Sequence, residues 1–480
     1  MSVSSALPEN SRETAPAPEE PPTGLGGRSA AVLAVLCGAI FLEGIDVAML
    51  NVALPSIRAD LGMSTGALSW VLSAYVLGYG GFMLLGGRTA DLLGRRRMFL
   101  LWLTVFVVFS GLGGLATEGW VLILARFVTG LSAAFMTPAG LSIITTAFPE
   151  GPRRNRALLV YAGTAAAGFS LGLVVGGLLT AVSWRWVFFA PVLLAGALLA
   201  AAVPLIPREA APSPKASGGR FDLAGAATVT GAMLLLVYGV VRIGEPGAGA
   251  ATTAAVLAGG LVLLAVFTVV ERRSSAPLVR PGILRSGPLL RANLGAVLFA
   301  GSFFGFQFVA TLYLQDLRGW SPLQTGLALL AIGVDSVLAP TLTPKLVERF
   351  GNAWVILGGF LLAALSYGLF LPVGADWTYP MMFPTMLLTG LAFALAYGPL
   401  TIAATEGIAE EEQGLAGGLL NTSFQFGAAL GLSVVTTVNL AALGSGATAL
   451  EGFRAALVVP VVSAALGAAV AATGAGRRRA

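Results

Sequence analysis

The sequence has no histidine, a single cysteine and few charged residues. Of its 480 residues only 11% are Asp, Glu, Lys or Arg, whereas 56% are hydrophobic and the mean hydropathy is +0.86. A soluble domain carries about 25% charged residues because its surface faces water, so most of this chain is expected to face lipid. Without histidine, and with Cys37 as the only thiol, most zinc, Ser-His-Asp and Cys-His chemistry is excluded. We therefore expect no enzyme, no metal and no cofactor.

Long apolar stretches follow one another from residue 29 onward. A helix needs about 20 apolar residues to cross a hydrocarbon core of about 30 Å, and these stretches accommodate about fourteen such helices. The predicted fold class is therefore an all-α polytopic membrane protein with fourteen transmembrane helices in the lipid bilayer.

The basic residues predict the orientation of these helices. Lys and Arg accumulate in cytoplasmic loops, and with fourteen spans most of the 28 basic residues fall on the side of the N-terminus. If one span were missed, every later loop would lie on the other side of the membrane and the basic residues would no longer accumulate on one side. We expect a multi-pass protein of the plasma membrane with both termini cytoplasmic. This topology also accounts for the net charge of +5, so no nucleic-acid partner is expected.

A short internal repeat suggests two related halves. Residues 90–95 (ADLLGR) resemble residues 347–352 (VERFGN), and the two segments lie eight predicted spans apart. This spacing is expected of two six-helix halves with two helices inserted between them, and repeated halves are common in transporters. The predicted parts are a disordered cytoplasmic tail (1–28), an N-terminal bundle (29–206), two inserted helices with their loops (207–290), a C-terminal bundle (291–475) and a basic tail (476–480).

The most specific motif lies between the second and third spans, at residues 87–97 (GRTADLLGRRR). Glycine permits a close helix approach and a tight turn, and a carboxylate accepts hydrogen bonds from arginines or a helix N-terminus. An ordinary cytoplasmic loop explains the arginines but not the Gly-x3-Asp-x2-Gly frame. We predict a conformational latch that breaks and re-forms as the halves move, made of Gly87, Asp91, Gly94, Arg95 and Arg96.

This motif resembles the loop signature of the major facilitator superfamily, Gly-x-Leu-Ala-Asp-Arg-x-Gly-Arg-Arg/Lys, with departures at Thr89 and Leu92. Residues 46–55 and the Arg126-x3-Gly130 segment are similar to motifs of its fourteen-span drug:proton antiporter branch. The resemblance implies the major facilitator fold with helices arranged 6+2+6. It also implies a multidrug or antibiotic exporter that works by alternating access and uses the proton gradient. Its expected partners are protons and an amphipathic, aromatic or cationic small molecule, and a monomer is expected.

The fifth span is similar to the antiporter motif of this family, Gly-x3-Gly-Pro-x2-Gly-Gly. Its glycines are present as Gly168, Gly172, Gly176 and Gly177, but Leu173 replaces the proline. The Gly-x3-Gly spacing predicts close helix packing. Because the proline is missing, a nutrient symporter or uniporter of the same fold stays an alternative, and a lipid exporter is another.

Four ionisable residues lie well inside predicted spans: Glu43, Asp46, Arg126 and Asp335. Each costs about 2.5–3.5 kcal/mol at a span centre, so such residues usually face a cavity and have a function. Glu43 and Asp46 share one helix face, and Asp46 and Arg126 lie at matching depths. We predict that these four residues couple transport to protons, the alternative being structural ion pairs.

Several side chains in other spans predict a mainly apolar substrate cavity with sparse polar groups. Each of them also has an alternative role in helix packing. The predicted cavity residues are Tyr75, Tyr79, Met136, Gln307, Asn421 and Gln425.

Overall fold

The computed structural model describes residues 27–148, 152–208, 223–243, 247, 249–274, 286–406, 408 and 410–475. Helices make up nearly all of these ranges. The first eight are α1 (Gly27–Leu61), α2 (Thr65–Leu93), α3 (Arg95–Gly114), α4 (Gly119–Ala147), α5 (Pro152–Val182), α6 (Trp186–Leu205), α7 (Leu223–Ile243) and α8 (Ala250–Arg273). The remaining eight are α9 (Gly287–Leu312), α10 (Pro322–Leu329), α11 (Asp335–Thr341), α12 (Thr343–Phe350), α13 (Asn352–Phe370), α14 (Tyr379–Thr405), α15 (Glu410–Gly444) and α16 (Ala449–Ala475).

Twelve helical segments in the described ranges are long and apolar enough to cross a membrane, with 322–339 counted as one segment. The all-helical, multi-pass fold is therefore confirmed. Helix α2 is not among the twelve, and α7 is apolar over the shorter range 224–240. The number fourteen thus stays a prediction. The tails 1–26 and 476–480 and the loops 209–222 and 275–285 lie outside the described residues.

The tenth predicted span, expected as one helix over 323–344, is broken in the structure. Helix α10 ends at Leu329, a 3-10 turn covers Leu330–Val334, and α11 begins at Asp335. The turn packs against α5, where a Cβ on Gly333 would lie 2.7 Å from the Ser170 Oγ. A change of helix type inside an apolar span leaves no mark in hydropathy, which explains the difference from the sequence prediction.

The helices form two bundles with a helix pair on one side. Helices α1–α6 pack among themselves, as do α9–α16. The bundles meet along two seams, α2 against α15 and α5 against α10. Helices α7 and α8 pack on each other, and α7 also covers α2 and α15.

Matching glycine turns relate the two bundles. Gly62 joins α1 to α2 and Gly319 precedes α10, with φ angles of 62° and 64°. Gly94 and Gly351 likewise separate consecutive helices, with φ angles of 97° and 85°. Gly62 and Gly94 are separated by the same number of residues as Gly319 and Gly351. All four residues adopt the left-handed backbone that glycine tolerates without steric cost, so corresponding turns recur in both bundles.

Candidate functional site

A cavity of about 590 Å³ lies between the two bundles. Helices α1, α2, α4 and α5 line it from one bundle, and α9, the broken tenth segment, α14 and α15 line it from the other. Most of the wall is apolar, with an aromatic group that consists of Phe169, Phe303, Phe304, Phe393 and Phe424. The polar lining consists of Glu43, Asn51, Tyr75, Tyr79, Arg126, Asp335, Tyr397, Thr401, Asn421 and Gln425.

Close packing of α5 on α1 sets one wall of the cavity. A Cβ on Gly168 would lie 2.6 Å from the Phe41 carbonyl oxygen, and one on Gly176 would lie 2.6 Å from the Met49 Cα. Gly172 faces Ile45 in the same way, with 2.9 Å to its Cα. Larger residues at these three positions would separate the helices.

Gly177 has a different neighbour from the other glycines of the stripe. A Cβ at this position would lie 2.8 Å from the Cα of Leu323 in the opposite bundle. The last glycine of the motif thus lies at the seam between α5 and α10.

Asp46 and Arg126 form a buried ion pair. The Arg126 Nη1 lies 2.6 Å from the Asp46 Oδ2, and the two side chains are 1% and 2% exposed. The guanidinium also stacks on Tyr75, with 4.4 Å from its central carbon to the ring centroid. The Arg126 Nε has no hydrogen-bond partner among the described residues. A full positive charge is therefore held between one carboxylate and one aromatic ring.

Glu43 lies one helical turn from Asp46 but has neutral partners. Thr137 of α4 donates to it, with 2.7 Å from the Thr137 Oγ1 to the Glu43 Oε1, and Tyr79 donates over 3.4 Å to the Glu43 Oε2. The Tyr79 and Thr137 hydroxyls are themselves 3.1 Å apart. The carboxyl group lines the cavity and is largely buried. Thr137 is not among the residues predicted from the sequence, because threonine is common in membrane helices and its partner is 94 residues away in the chain.

Asp335 lies across the cavity from Glu43. It is the first residue of α11, directly after the 3-10 turn, and its side chain is 6% exposed. The cavity therefore has a carboxyl group from each bundle, Glu43 on one wall and Asp335 on the other.

Of the predicted cavity residues, Tyr75, Tyr79, Asn421 and Gln425 line the cavity, and the Tyr397 hydroxyl lies 3.5 Å from the Asn421 Oδ1. Met136 and Gln307 do not. Met136 is 1% exposed within the apolar core of the N-terminal bundle, and Gln307 is buried in α9 beyond the cavity wall. Helical spacing gives the depth of a residue in the membrane and the residues that share its face, but not which face turns toward the cavity, which explains both differences.

The predicted latch residues lie at the α2–α3 turn. Arg96 donates to the Ile206 carbonyl over 2.9 Å and to the Val203 carbonyl over 2.7 Å. Arg95 donates to the Thr146 hydroxyl. These bonds tie the start of α3 to α4 and α6 in the same bundle.

The other predicted latch residues include Gly87 and Asp91. Gly87 approaches α4, where its Cβ would lie 3.8 Å from the Pro138 Cβ. The side chain of Asp91 lies outside the described part of the structure.

One end of the cavity is closed by contacts between the bundles. We call it the closed end and define it by the turns at 62–64 and 318–321. The Arg58 Nη2 lies 2.8 Å from the Asp316 Oδ2, and the Gln315 Nε2 donates to the Val52 carbonyl over 2.8 Å. At the opposite end the lining includes Thr401, an exposed residue near the end of α14. A molecule in the cavity is thus sealed off on one side only.

A cavity between two related helix bundles, sealed at one end, is the geometry of a carrier that exposes one central site to either side in turn. The sequence from residue 36 to residue 432 matches the family model described as Major Facilitator Superfamily. The chain belongs to the Major Facilitator Superfamily. It is accordingly a membrane transporter of small molecules and not an enzyme.

Two proteins with similar sequences have names that refer to antibiotics. The cephamycin export protein CmcT of Amycolatopsis lactamdurans is 37% identical over 86% of this chain and 85% of its own length. The puromycin resistance protein pur8 of Streptomyces alboniger is 35% identical over 87% of this chain and 82% of its own.

Solved structures of transporters share the fold at low sequence identity. A bacterial homologue of the human lysosomal transporter Spinster, in an inward-facing and unoccupied conformation, has a TM-score of 0.64 and 18% identity over 94% of this chain and 98% of its own. The nucleoside transporter NupG also has a TM-score of 0.64, with 13% identity over 92% and 99%. This likeness concerns the fold alone.

Proposed function

We propose that the protein exports amphipathic, aromatic or cationic small molecules, in particular antibiotics, across the plasma membrane in exchange for protons. The observation that carries the proposal is the cavity between the bundles, with its aromatic wall and two carboxyl groups, together with the export and resistance names of relatives at 35–37% identity.

The cavity fits an amphipathic substrate in size and chemistry. Its volume of about 590 Å³ falls within the range of about 300–1,000 Å³ that small-molecule pockets occupy. Stacked aromatic rings bind planar apolar groups and attract cations to their faces. Glu43 and Asp335 on opposite walls add attraction for a positive charge.

Proton coupling is assigned to Glu43, Asp46, Arg126 and Asp335. An apolar surrounding disfavours the charged form of a carboxyl group unless a cation balances it. Arg126 balances Asp46, whereas the partners of Glu43 among the described residues are the hydroxyls of Thr137 and Tyr79. A proton that enters from outside therefore has an accessible acceptor in Glu43, and proton transfer to Asp46 would release Arg126. An inward proton gains about 2.3 kcal/mol per 100 mV, so the gradient is the energy source and no cofactor is needed.

The proposed cycle places the closed end outside the cell and both termini in the cytoplasm. Fourteen helices form two six-helix bundles, with α7 and α8 as the inserted pair. Substrate enters from the cytoplasmic end, the bundles rock, and the contact between Arg58 and Asp316 opens. The α2–α3 turn, with Gly87, Asp91, Gly94, Arg95 and Arg96, acts as the latch on the cytoplasmic side. A monomer contains the whole cavity.

Proton-driven drug uptake into proteoliposomes tests the proposal. Purified protein is reconstituted, an inside-acidic pH gradient is imposed, and uptake of puromycin and tetraphenylphosphonium is measured. We expect accumulation by the wild type that a protonophore abolishes, and loss of this accumulation in Glu43→Gln. The matched control is Glu118→Gln, which changes an exposed acid outside the cavity. Absence of accumulation, or substrate movement in the same direction as protons, would contradict antiport.

A further inference from the structure

Two polar side chains of α9 are buried without a hydrogen-bond partner among the described residues. Both amide atoms of Gln307, Oε1 and Nε2, lack a partner, and so does the Thr311 hydroxyl. The exposed fractions of these residues are 1% and 0%. A buried polar group without a partner is rare because it loses its bonds to water and gains none in return.

The position of these groups relates them to the transport path. Residues four apart lie on one face of a helix, so Phe303, Gln307 and Thr311 form one stripe along α9. Phe303 lines the cavity. Gln307 and Thr311 follow one and two turns further toward the closed end. Asp316 comes after them, and its ion pair with Arg58 at the closed end is called the gate pair below. The stripe therefore runs from the cavity wall to the contact that closes it.

An aromatic cluster from both bundles lies in the cavity wall, one helical turn before Gln307 along α9. Phe169 of α5 packs against Phe303 and Phe304 of α9, with ring centroids 6.2 Å and 6.4 Å apart. The two α9 rings are 5.4 Å from each other. Because α5 and α9 belong to different bundles, rocking of the bundles would pull this cluster apart.

We propose that Gln307 and Thr311 form a second substrate subsite, exposed only when the closed end opens. The proposal rests on the alternating access of the proposed function. The subsite supplies an amide and a hydroxyl and carries no charge, so it takes a neutral hydrogen-bonding group of the substrate, such as a carbonyl, hydroxyl or amide. The aromatic cavity and the outer subsite thus hold different parts of an amphipathic molecule in successive states.

The energetics favour this role over a packing role. An apolar side chain of similar size at either position would avoid the loss of hydrogen bonds in the sealed state. Exposure of the stripe to water and substrate supplies donors and acceptors for the same atoms. The unpaired groups therefore disfavour the sealed state and favour the opened one.

Cysteine labelling from the outside tests the exposure. Cys37 is replaced by serine, and Gln307→Cys is introduced and treated in intact cells with a charged, membrane-impermeant maleimide. The matched control is Val309→Cys, at similar depth on the opposite side of α9 and 2% exposed. We expect labelling at 307 and none at 309. Asp316→Ala removes the gate pair and should speed labelling at 307 by up to about fivefold, because a partly exposed ion pair stabilises the closed state by about that factor.

Substrate preference tests the binding. Puromycin carries hydroxyl and amide groups, whereas tetraphenylphosphonium carries no hydrogen-bonding group. In Gln307→Leu we expect the ratio of puromycin to tetraphenylphosphonium efflux to fall by about tenfold, the effect of one lost hydrogen bond to a desolvated group. Val309→Leu should leave the ratio unchanged, and Thr311→Val should lower it as Gln307→Leu does.

The outcomes separate this inference from the proposed function. Normal drug efflux with no labelling at 307, or with an unchanged substrate ratio in both Gln307→Leu and Thr311→Val, overturns the subsite and leaves the exporter intact. The subsite is also overturned if Val309→Cys is labelled as fast as Gln307→Cys, since the exposure would then not be specific to the stripe. If Gln307→Cys is labelled but the wild type transports neither drug, drug export would instead be overturned, while the exposure of the stripe would stand.

Discussion

The buried pair of Asp46 and Arg126 allows a quantitative test. Asp46→Asn keeps the shape of the side chain and removes its charge, which leaves the guanidinium without its only ion-pair partner among the described residues. The Arg126 side chain is 1% exposed, and its Nε already lacks a partner. Loss of one member of a buried pair costs about 3–5 kcal/mol, because the remaining charge stays in an apolar surrounding.

The measurement is the free energy of unfolding of the purified protein in mixed micelles, followed by titration with a denaturing detergent. We expect Asp46→Asn to lower it by about 3–5 kcal/mol. The double variant Asp46→Asn with Arg126→Gln removes both charges, and we expect it to recover more than half of that loss, since neutral replacement of a whole pair is often nearly neutral.

Two results would refute this reasoning. If Asp46→Asn came within about 1 kcal/mol of the wild type, as an exposed pair would, the guanidinium would have access to water or to another anion. If the double variant lost as much as the two single variants together, the two charges would not be coupled. Drug efflux is expected to be lost in Asp46→Asn, in Arg126→Gln and in the double variant. Stability regained in the double variant without efflux would show that stability and transport depend on the pair in different ways.

Three further predictions concern other parts of the transporter. Glu43→Gln is expected to abolish proton-driven accumulation while downhill drug movement through the carrier continues, measured as counterflow in proteoliposomes. Gly172→Val is expected to separate α1 from α5, where its Cβ would lie 2.9 Å from a backbone atom, and to lower the free energy of unfolding by about 1–3 kcal/mol. The control is Gly163→Val, whose Cβ would meet no atom of another helix within 4 Å. Exchange of the gate charges in Arg58→Asp with Asp316→Arg should restore the efflux rate that either single reversal lowers, and a double variant no better than the single ones would contradict a direct contact.

The sequence alone was sufficient for the class of protein and for the depth of its charged groups. A scarcity of charge and long apolar stretches predict membrane helices whatever their arrangement, because lipid cannot satisfy polar groups. The loop and first-span motifs predicted the family, which the comparisons confirmed. The matching depths of Asp46 and Arg126 follow from the rise of a helix, since position along the axis depends only on residue number.

Which side chains meet depends on the tertiary structure. A membrane helix is apolar on nearly all sides, so periodicity does not reveal which face turns toward the cavity. For that reason Met136 and Gln307 were expected in the cavity wall but lie outside it, while Thr137 was not expected and contacts Glu43. The relative rotation and packing of helices far apart in the chain set these contacts. As a result, the four charged residues within the membrane form one ion pair, Asp46 with Arg126, while Glu43 has hydroxyl partners and Asp335 lies on the opposite wall.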